Sequence, residues 1–137
     1  MLNDCNVVYN IIYKRYLRIL RISYGGDTMN ITKEGFLIFA SIKNVLQYRT
    51  LMYILSNTQE NGSCNSRQNE IASALDTHRQ AVNRSVRYLE EKKIFTIQRI
   101  GSKRIYHINP EYCVTSEGYN NLKQNFDRYK KNNGGNN

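Results

Sequence analysis

Gln68-Asn69-Glu70-Ile71-Ala72-Ser73-Ala74-Leu75-Asp76-Thr77-His78-Arg79-Gln80-Ala81-Val82-Asn83-Arg84-Ser85-Val86-Arg87-Tyr88-Leu89-Glu90-Glu91 is the stretch whose reading decides the fold. Its first part predicts a short helix over about residues 66–75, capped by Asn65 with Gln68 three positions on, and burying Ile71, Ala72 and Leu75. Asp76-Thr77 interrupts the pattern. Thr77 then caps a longer helix that runs to about Lys92, again with a glutamine, Gln80, three positions later. On a helical wheel Val82, Ser85, Val86, Leu89 and Lys93 share one side, while Gln80, Asn83, Arg84, Arg87 and Glu91 fall opposite. The side with the aliphatics is expected to face a core.

Working outward, Tyr48, Leu51, Met52 and Leu55 recur at helical spacing and predict a helix over about residues 43–56. Asn57 to Ser63, with Asn61-Gly62, reads as a polar turn. Downstream, Ile94–Arg99 and Arg104–Asn109 are rich in β-branched and aromatic residues and flank Gly101-Ser102, a hairpin signal; Pro110 ends the second strand. A last helix is expected from Ser116 to Lys131, with Tyr119, Leu122, Phe126 and Tyr129 along one side. Residues 31–40 stay open between a short strand and a buried helix, and residues 7–24 read as a helix with Lys14, Arg18 and Arg21 on one face. Helix, loop, short helix, tight turn, longer helix and hairpin form the order of a winged helix-turn-helix. The fold class expected is mostly α with a small β hairpin, that is, α+β.

The chain has 137 residues, the size of one ordinary domain, and 20 Lys and Arg against 11 acids give a net charge of +9. More than half of that excess, +5, falls in residues 65–109. A polyanionic partner follows, nucleic acid before an anionic membrane surface. Residues 78–88 hold three arginines and no acid, whereas a merely solvated helix face usually mixes signs. Glu90 and Glu91 come only at the helix end away from the expected groove.

Major-groove readout needs long hydrogen-bonding side chains on one exposed face. Gln and Asn pair with adenine and Arg with guanine. The residues expected to contact DNA are therefore Thr77, His78, Arg79, Gln80, Asn83, Arg84 and Arg87 on the longer helix, with Arg99, Lys103 and Arg104 around the hairpin tip on the backbone or in a minor groove. A charged tip also protects an edge strand, but a basic tip beside a basic helix favours the DNA reading.

Cys5, Cys64 and Cys113 are far apart and form no metal-ligand cluster, so no metal and no cofactor are expected. Free thiols without a secretory pattern suit a cytoplasmic protein. His78 and His107 are separate, no phosphate-binding glycine loop is present, and no His-hydrophobic-His motif accompanies the eleven tyrosines. No enzyme is expected. Lys14, Arg15, Arg18 and Arg21 interrupt the apolar stretch Val7–Tyr24, which argues against a membrane span.

Val82-Asn83-Arg84-Ser85-Val86 followed by Leu89-Glu90-Glu91-Lys92-Lys93-Ile94, and Gln68-Asn69-Glu70-Ile71-Ala72 before it, resemble the two helix-turn-helix helices of bacterial winged-helix proteins. Tyr106-His107-Ile108-Asn109-Pro110 is similar to the end of the wing in plasmid replication initiators of low-GC Gram-positive bacteria, the RepL family; Tyr48–Ser56 is similar to that family's first core helix. The resemblance covers about residues 36–112, with Cys113-Val114-Thr115 standing where the family continues with aromatic, basic and glycine residues. It implies an initiator that binds double-stranded DNA at its origin and helps recruit host replication proteins. A transcriptional regulator of the winged-helix type, a repressor or copy-number control protein, would use the same surface.

The expected organisation is a basic N-terminal segment over residues 1–28, a winged-helix domain over 29–112, a C-terminal helix over 113–131 and a disordered tail over 132–137. The apolar side of the C-terminal helix, or the N-terminal segment, is expected to give a homodimer contact. Gly25-Gly26-Asp27-Thr28-Met29 can be encoded by a ribosome-binding sequence ahead of ATG, which would make Met29 the natural start. A genuine basic amphipathic helix before Met29 stands beside that reading.

Overall fold

The computed structural model describes residues 29–134. The helix expected over residues 7–24, the question of a start at Met29, and residues 135–137 lie outside the described residues. Within them the chain is α+β. The elements are β1 (Met29–Ile31), α1 (Lys33–Ala40), α2 (Val45–Ser56), β2 (Ser63–Cys64), α3 (Gln68–Ala74), α4 (Arg79–Glu91), β3 (Phe95–Ile100), β4 (Lys103–Ile108), β5 (Cys113–Thr115) and α5 (Tyr119–Gly134).

Of the two structures the sequence leaves open for residues 31–40, the helix forms over 33–40, with Phe39 buried and Leu37 exposed, and only Ile31 belongs to a strand. Met29 and Ile31 point inward and Asn30 outward in β1, and the Thr32 hydroxyl oxygen then accepts the Gly35 N–H at 2.9 Å to start α1. Gly35 is required there: a Cβ would sit 2.2 Å from the Tyr112 carbonyl oxygen. In α2, Asn44 accepts the Gln47 N–H at 3.0 Å, and the buried side is Thr50, Leu51, Ile54 and Leu55. Tyr48, expected on that side, is exposed, since Thr50 satisfies its hydroxyl on the Leu46 carbonyl at 2.7 Å and takes an inward place.

Two turns of the same type bracket α4. After α3, Asp76 adopts φ 53°, its N–H donates to the Ser73 carbonyl at 3.3 Å, and the Thr77 N–H donates to the Ala72 carbonyl at 2.9 Å. This is a Schellman ending. After α4, Lys93 adopts φ 60°, with the Lys93 N–H on the Glu90 carbonyl and the Ile94 N–H on the Leu89 carbonyl. Three sequence expectations are corrected here. Thr77 is not the cap of α4, because the turn already uses its backbone; His78 is, with Nδ1 accepting the Ala81 N–H at 3.3 Å. Lys93 lies beyond the helix and is exposed, not on the core side. Asn65 does not cap α3. That place falls to Arg67, whose side chain has no acceptor; the link there is the Arg67 N–H donating to the Glu70 carboxylate at 3.3 Å.

β3 begins one residue later and β4 ends one residue earlier than expected, because Ile94 serves the turn and Asn109 clamps it, and each strand runs one residue further toward the hairpin tip. The Asn109 amide donates to the Lys93 carbonyl at 2.8 Å, and the Asn109 N–H donates to the Ile94 carbonyl at 2.9 Å. Pairing runs from Phe95↔Ile108 to Ile100↔Lys103, and Gly101, with φ 59°, occupies the first central position as a type II′ turn needs. β2 pairs with β4 on its other edge, Cys64 opposite Tyr106, giving the antiparallel order β2-β4-β3. β1 and β5 form a second antiparallel pair, Met29↔Thr115 to Ile31↔Cys113. Residues 113–115 thus pair with the first described strand and close the same unit.

The core joins Leu51, Ile54, Ile71, Val82, Val86 and Leu89 of the helices to one face of the hairpin, where Phe95 and Tyr106 meet edge to face at 5.2 Å. α5 packs on β3 and β4. Leu122 and Phe126 are 2% exposed, and Tyr129 stacks on His107 with ring centroids 4.3 Å apart. The apolar side expected to pair two chains is therefore covered within this chain, with only Tyr119 left largely exposed. α5 also continues to Gly134, three residues into the expected tail. Once its inner side is anchored, each further residue adds a hydrogen bond without a new nucleation step.

Candidate nucleic-acid interface

α4 is amphipathic in the strict sense. Ala81, Val82, Ser85, Val86 and Leu89 are buried, while Arg79, Gln80, Arg84 and Arg87 are exposed and Asn83 is half-buried. Because α2 and α3 both pack on its inner side, the outer side is held at a fixed angle to the rest of the molecule. Its last-turn Glu90 reaches back to the hairpin, where Arg99 Nη2 meets Glu90 Oε1 at 3.2 Å. That ion pair ties α4 to β3 and occupies Arg99, one of the DNA contacts expected from the sequence.

The hairpin tip leans over the start of α3 and α4. Lys103, Arg104 and Ser102 share a cavity of about 600 Å³ with Arg67, Gln68 and Arg79. A second cavity of about 340 Å³ continues from it along α4, lined by Gln68, Arg79, Gln80, Asn83, Arg87 and Arg104. Arg104 is braced by the turn it leaves: Nη1 donates to the Gly101 carbonyl at 3.1 Å and to the Lys103 carbonyl at 3.3 Å. Guanidinium and ammonium groups from three elements converge on this cleft. Its one carboxylate, Glu70, accepts the Arg67 N–H. Like charges held together in excess over the one carboxylate raise the local potential and favour an anion.

Of the residues expected from sequence, the cleft gathers Arg79, Gln80, Asn83, Arg87, Lys103 and Arg104. Arg84 is exposed on the same side of α4 without lining either cavity. His78, exposed, uses Nδ1 as the helix cap. Thr77 is half-buried with its N–H used in the turn. Sequence reasoning missed the α3 side of the cleft: Asn65, Arg67, Gln68 and Asn69. The signal was a polar and basic run just before the buried Ile71-Ala72 pair.

Other reactive groups are closed off. Burial pushes the Cys64 thiol up and the Cys113 thiol to about 12. The His107 ring lies between β4 and α5, with Nε2 at 2.9 Å from Gln98 Oε1, and burial, helped by Arg128, lowers its pKa to about 4. Among the described residues no group of three or more His, Cys, Asp or Glu could hold a metal ion, and no helix is long and apolar enough to cross a membrane. The chain matches no family model and no curated protein.

Proposed function

We propose that this chain is a winged helix-turn-helix protein that binds double-stranded DNA, with α4 lying in the major groove and the β3–β4 hairpin as a wing on the adjacent backbone. One observation carries the reading: the outer side of α4, the start of α3 and the hairpin tip converge on a single basic cleft, while the opposite side of α4 is buried in the core. A helix fixed by its apolar side and presenting Gln, Asn and Arg outward has the donors and acceptors that base edges require. Flanking lysines and arginines without base-sized geometry serve phosphates, which fix register and supply affinity. The separation is consistent with α4 reading and Arg67, Lys103 and Arg104 gripping.

The biological setting proposed is origin binding by a plasmid or mobile-element replication initiator, in a cytoplasmic, cofactor-free protein that helps recruit host replication proteins. The RepL-like residues support it, and Asn109 within them has a definite task as the clamp on the α4–β3 turn. A homodimer on an inverted repeat belongs to the same proposal, but through a surface other than the buried side of α5. The exposed Leu37, Val45 and Tyr48 lie on α1 and α2.

Selection from a random duplex library, followed by titration at several salt concentrations, tests DNA binding. A reproducibly enriched site and a steep loss of affinity with salt are expected. Equal, weak retention of all duplexes would overturn the reading. Replication of a marker plasmid that depends on this gene and the selected site supports the initiator; a selected site that only overlaps a promoter and represses it favours a transcriptional regulator.

A further inference from the structure

Gln68 was no part of the expected site, yet it stands at the junction of the two cavities and lines both. It is the first residue of α3, half-buried, and its Nε2 donates to Asn83 Oδ1 at 3.3 Å across the helix-turn-helix angle. Arg67, Arg79 and Arg104 line the cavities that Gln68 shares. Gln68 also neighbours Tyr106, which is buried, whose hydroxyl has no well-formed hydrogen bond among the described residues, and whose pKa burial raises to about 12 while the Gln68 amide partly offsets it.

Resting on the DNA-binding reading above, we infer that Gln68 is a positioning residue for Asn83: by donating to Asn83 Oδ1 it fixes the Asn83 amide with Nδ2 toward the groove. An amide free to rotate presents either a donor or an acceptor. One pinned at its oxygen presents its donor first. In the major groove guanine offers two acceptors, N7 and O6, and thymine one, O4, with no donor on either; adenine sets its N6 donor beside the N7 acceptor, and cytosine offers only the N4 donor. Asn83 then selects guanine or thymine at the base it meets, instead of the adenine that an unrestrained asparagine favours.

The test is library selection with the full chain and three variants, read position by position. Asn83→Ala identifies the base pair that Asn83 reads as the one position where preference is lost. Gln68→Glu replaces the donor with a carboxylate that only accepts, so Asn83 must turn Nδ2 inward and Oδ1 outward. Preference at that position should switch from guanine or thymine to adenine or cytosine, by about tenfold or more in relative affinity, with the other positions unchanged. A charge effect of the new carboxylate lowers affinity for all sequences alike and does not produce a switch at one base. Gln68→Ala frees the Asn83 amide and should broaden that position alone. If the parent enriches a site and Gln68→Glu enriches the same one, or if Asn83→Ala loses no position, the positioning role is overturned while DNA binding stands. If the parent enriches nothing, both fall.

Discussion

α4 and α5 both read as amphipathic helices, yet the molecule uses them in opposite ways. α4 buries Val82, Val86 and Leu89 and presents a polar side whose cations belong to one sign until its last turn. α5 buries Leu122 and Phe126 against the hairpin and places Tyr129 on His107, while its outer side mixes Lys123, Asp127, Arg128 and Lys130. Lys123 lies 3.7 Å from Asp127 on that surface. An apolar stripe therefore says that a face will be covered but not by what. A polar stripe of one sign says more, because among the described residues Arg79, Arg84 and Arg87 form no salt bridge.

Burying a charge on the inner side of α4 should give the largest effect. Leu89 is fully buried, and Leu89→Asp would place an unpaired carboxylate in the core at a cost of about 4 kcal/mol or more, close to the whole stability of a small domain. Circular dichroism should show an unfolded or molten chain at 25 °C. A native spectrum with an unchanged melting temperature would mean that α4 is not seated on α2 and α3.

Truncation on α5 sharpens the other half of the contrast. Phe126→Ala should lower unfolding free energy by about 3–5 kcal/mol in urea titration, because the ring is 2% exposed inside the chain. Sedimentation of the folded variant should match the parent. If the apolar side of α5 instead served a second copy, the variant would sediment differently and unfold at the parent's midpoint.

What the sequence made legible follows the length of each signal. The inner side of α4 spans several turns, so Val82, Val86 and Leu89 declared themselves, and the hairpin was marked by Gly101-Ser102. β1, β2 and β5 are two or three residues long, too short for any period, and they exist because of partners 42 to 86 positions away, as in Cys64↔Tyr106 and Met29↔Thr115. The caps moved by one or two residues because each turn has its own hydrogen bonds, and no cap preference announces an aspartate or lysine in the left-handed region. Half of the cleft was visible in Arg79, Gln80 and Asn83. The α3 half was not, since Gln68 meets Asn83 only after the helices fold together.

His107 offers a pH-dependent measure of the α5 contact. Its folded pKa, about 4, lies below the ordinary 6.5, so the unfolded chain binds more protons between those values and stability rises with pH across that window. The contribution is present above pH 6.5 and is lost as pH falls toward 4, on the order of 2 kcal/mol. His107→Phe keeps a ring under Tyr129 and should flatten the unfolding free energy between pH 6.5 and 4 relative to the parent. An equal slope in both proteins would place the titrating group elsewhere.

The smallest effect on stability, and the largest on function, is expected where α4 and the hairpin tip face outward. Arg84 and Lys103 are exposed, Arg104 is half-buried over the cleft, and none lies on a core-facing side. Arg84→Ala, and the pair Lys103→Ala with Arg104→Ala, should each change unfolding free energy by no more than about 0.5 kcal/mol. Their effects on DNA should part company. A base-reading arginine contributes about 1–3 kcal/mol of discrimination, so Arg84→Ala should lower the ratio of specific to scrambled affinity. Two phosphate contacts contribute about two units to the dependence of log affinity on log salt, so the tip pair should make that dependence shallower by about two and weaken both duplexes alike. Phe126→Ala, assayed at a temperature where it is folded, should bind as the parent does. Titrations against specific and scrambled duplexes at several salt concentrations separate these outcomes. Should Arg84→Ala leave the ratio unchanged while the tip pair lowers it, the hairpin would be the reading element and α4 the support, and the roles assigned to the two regions would be exchanged.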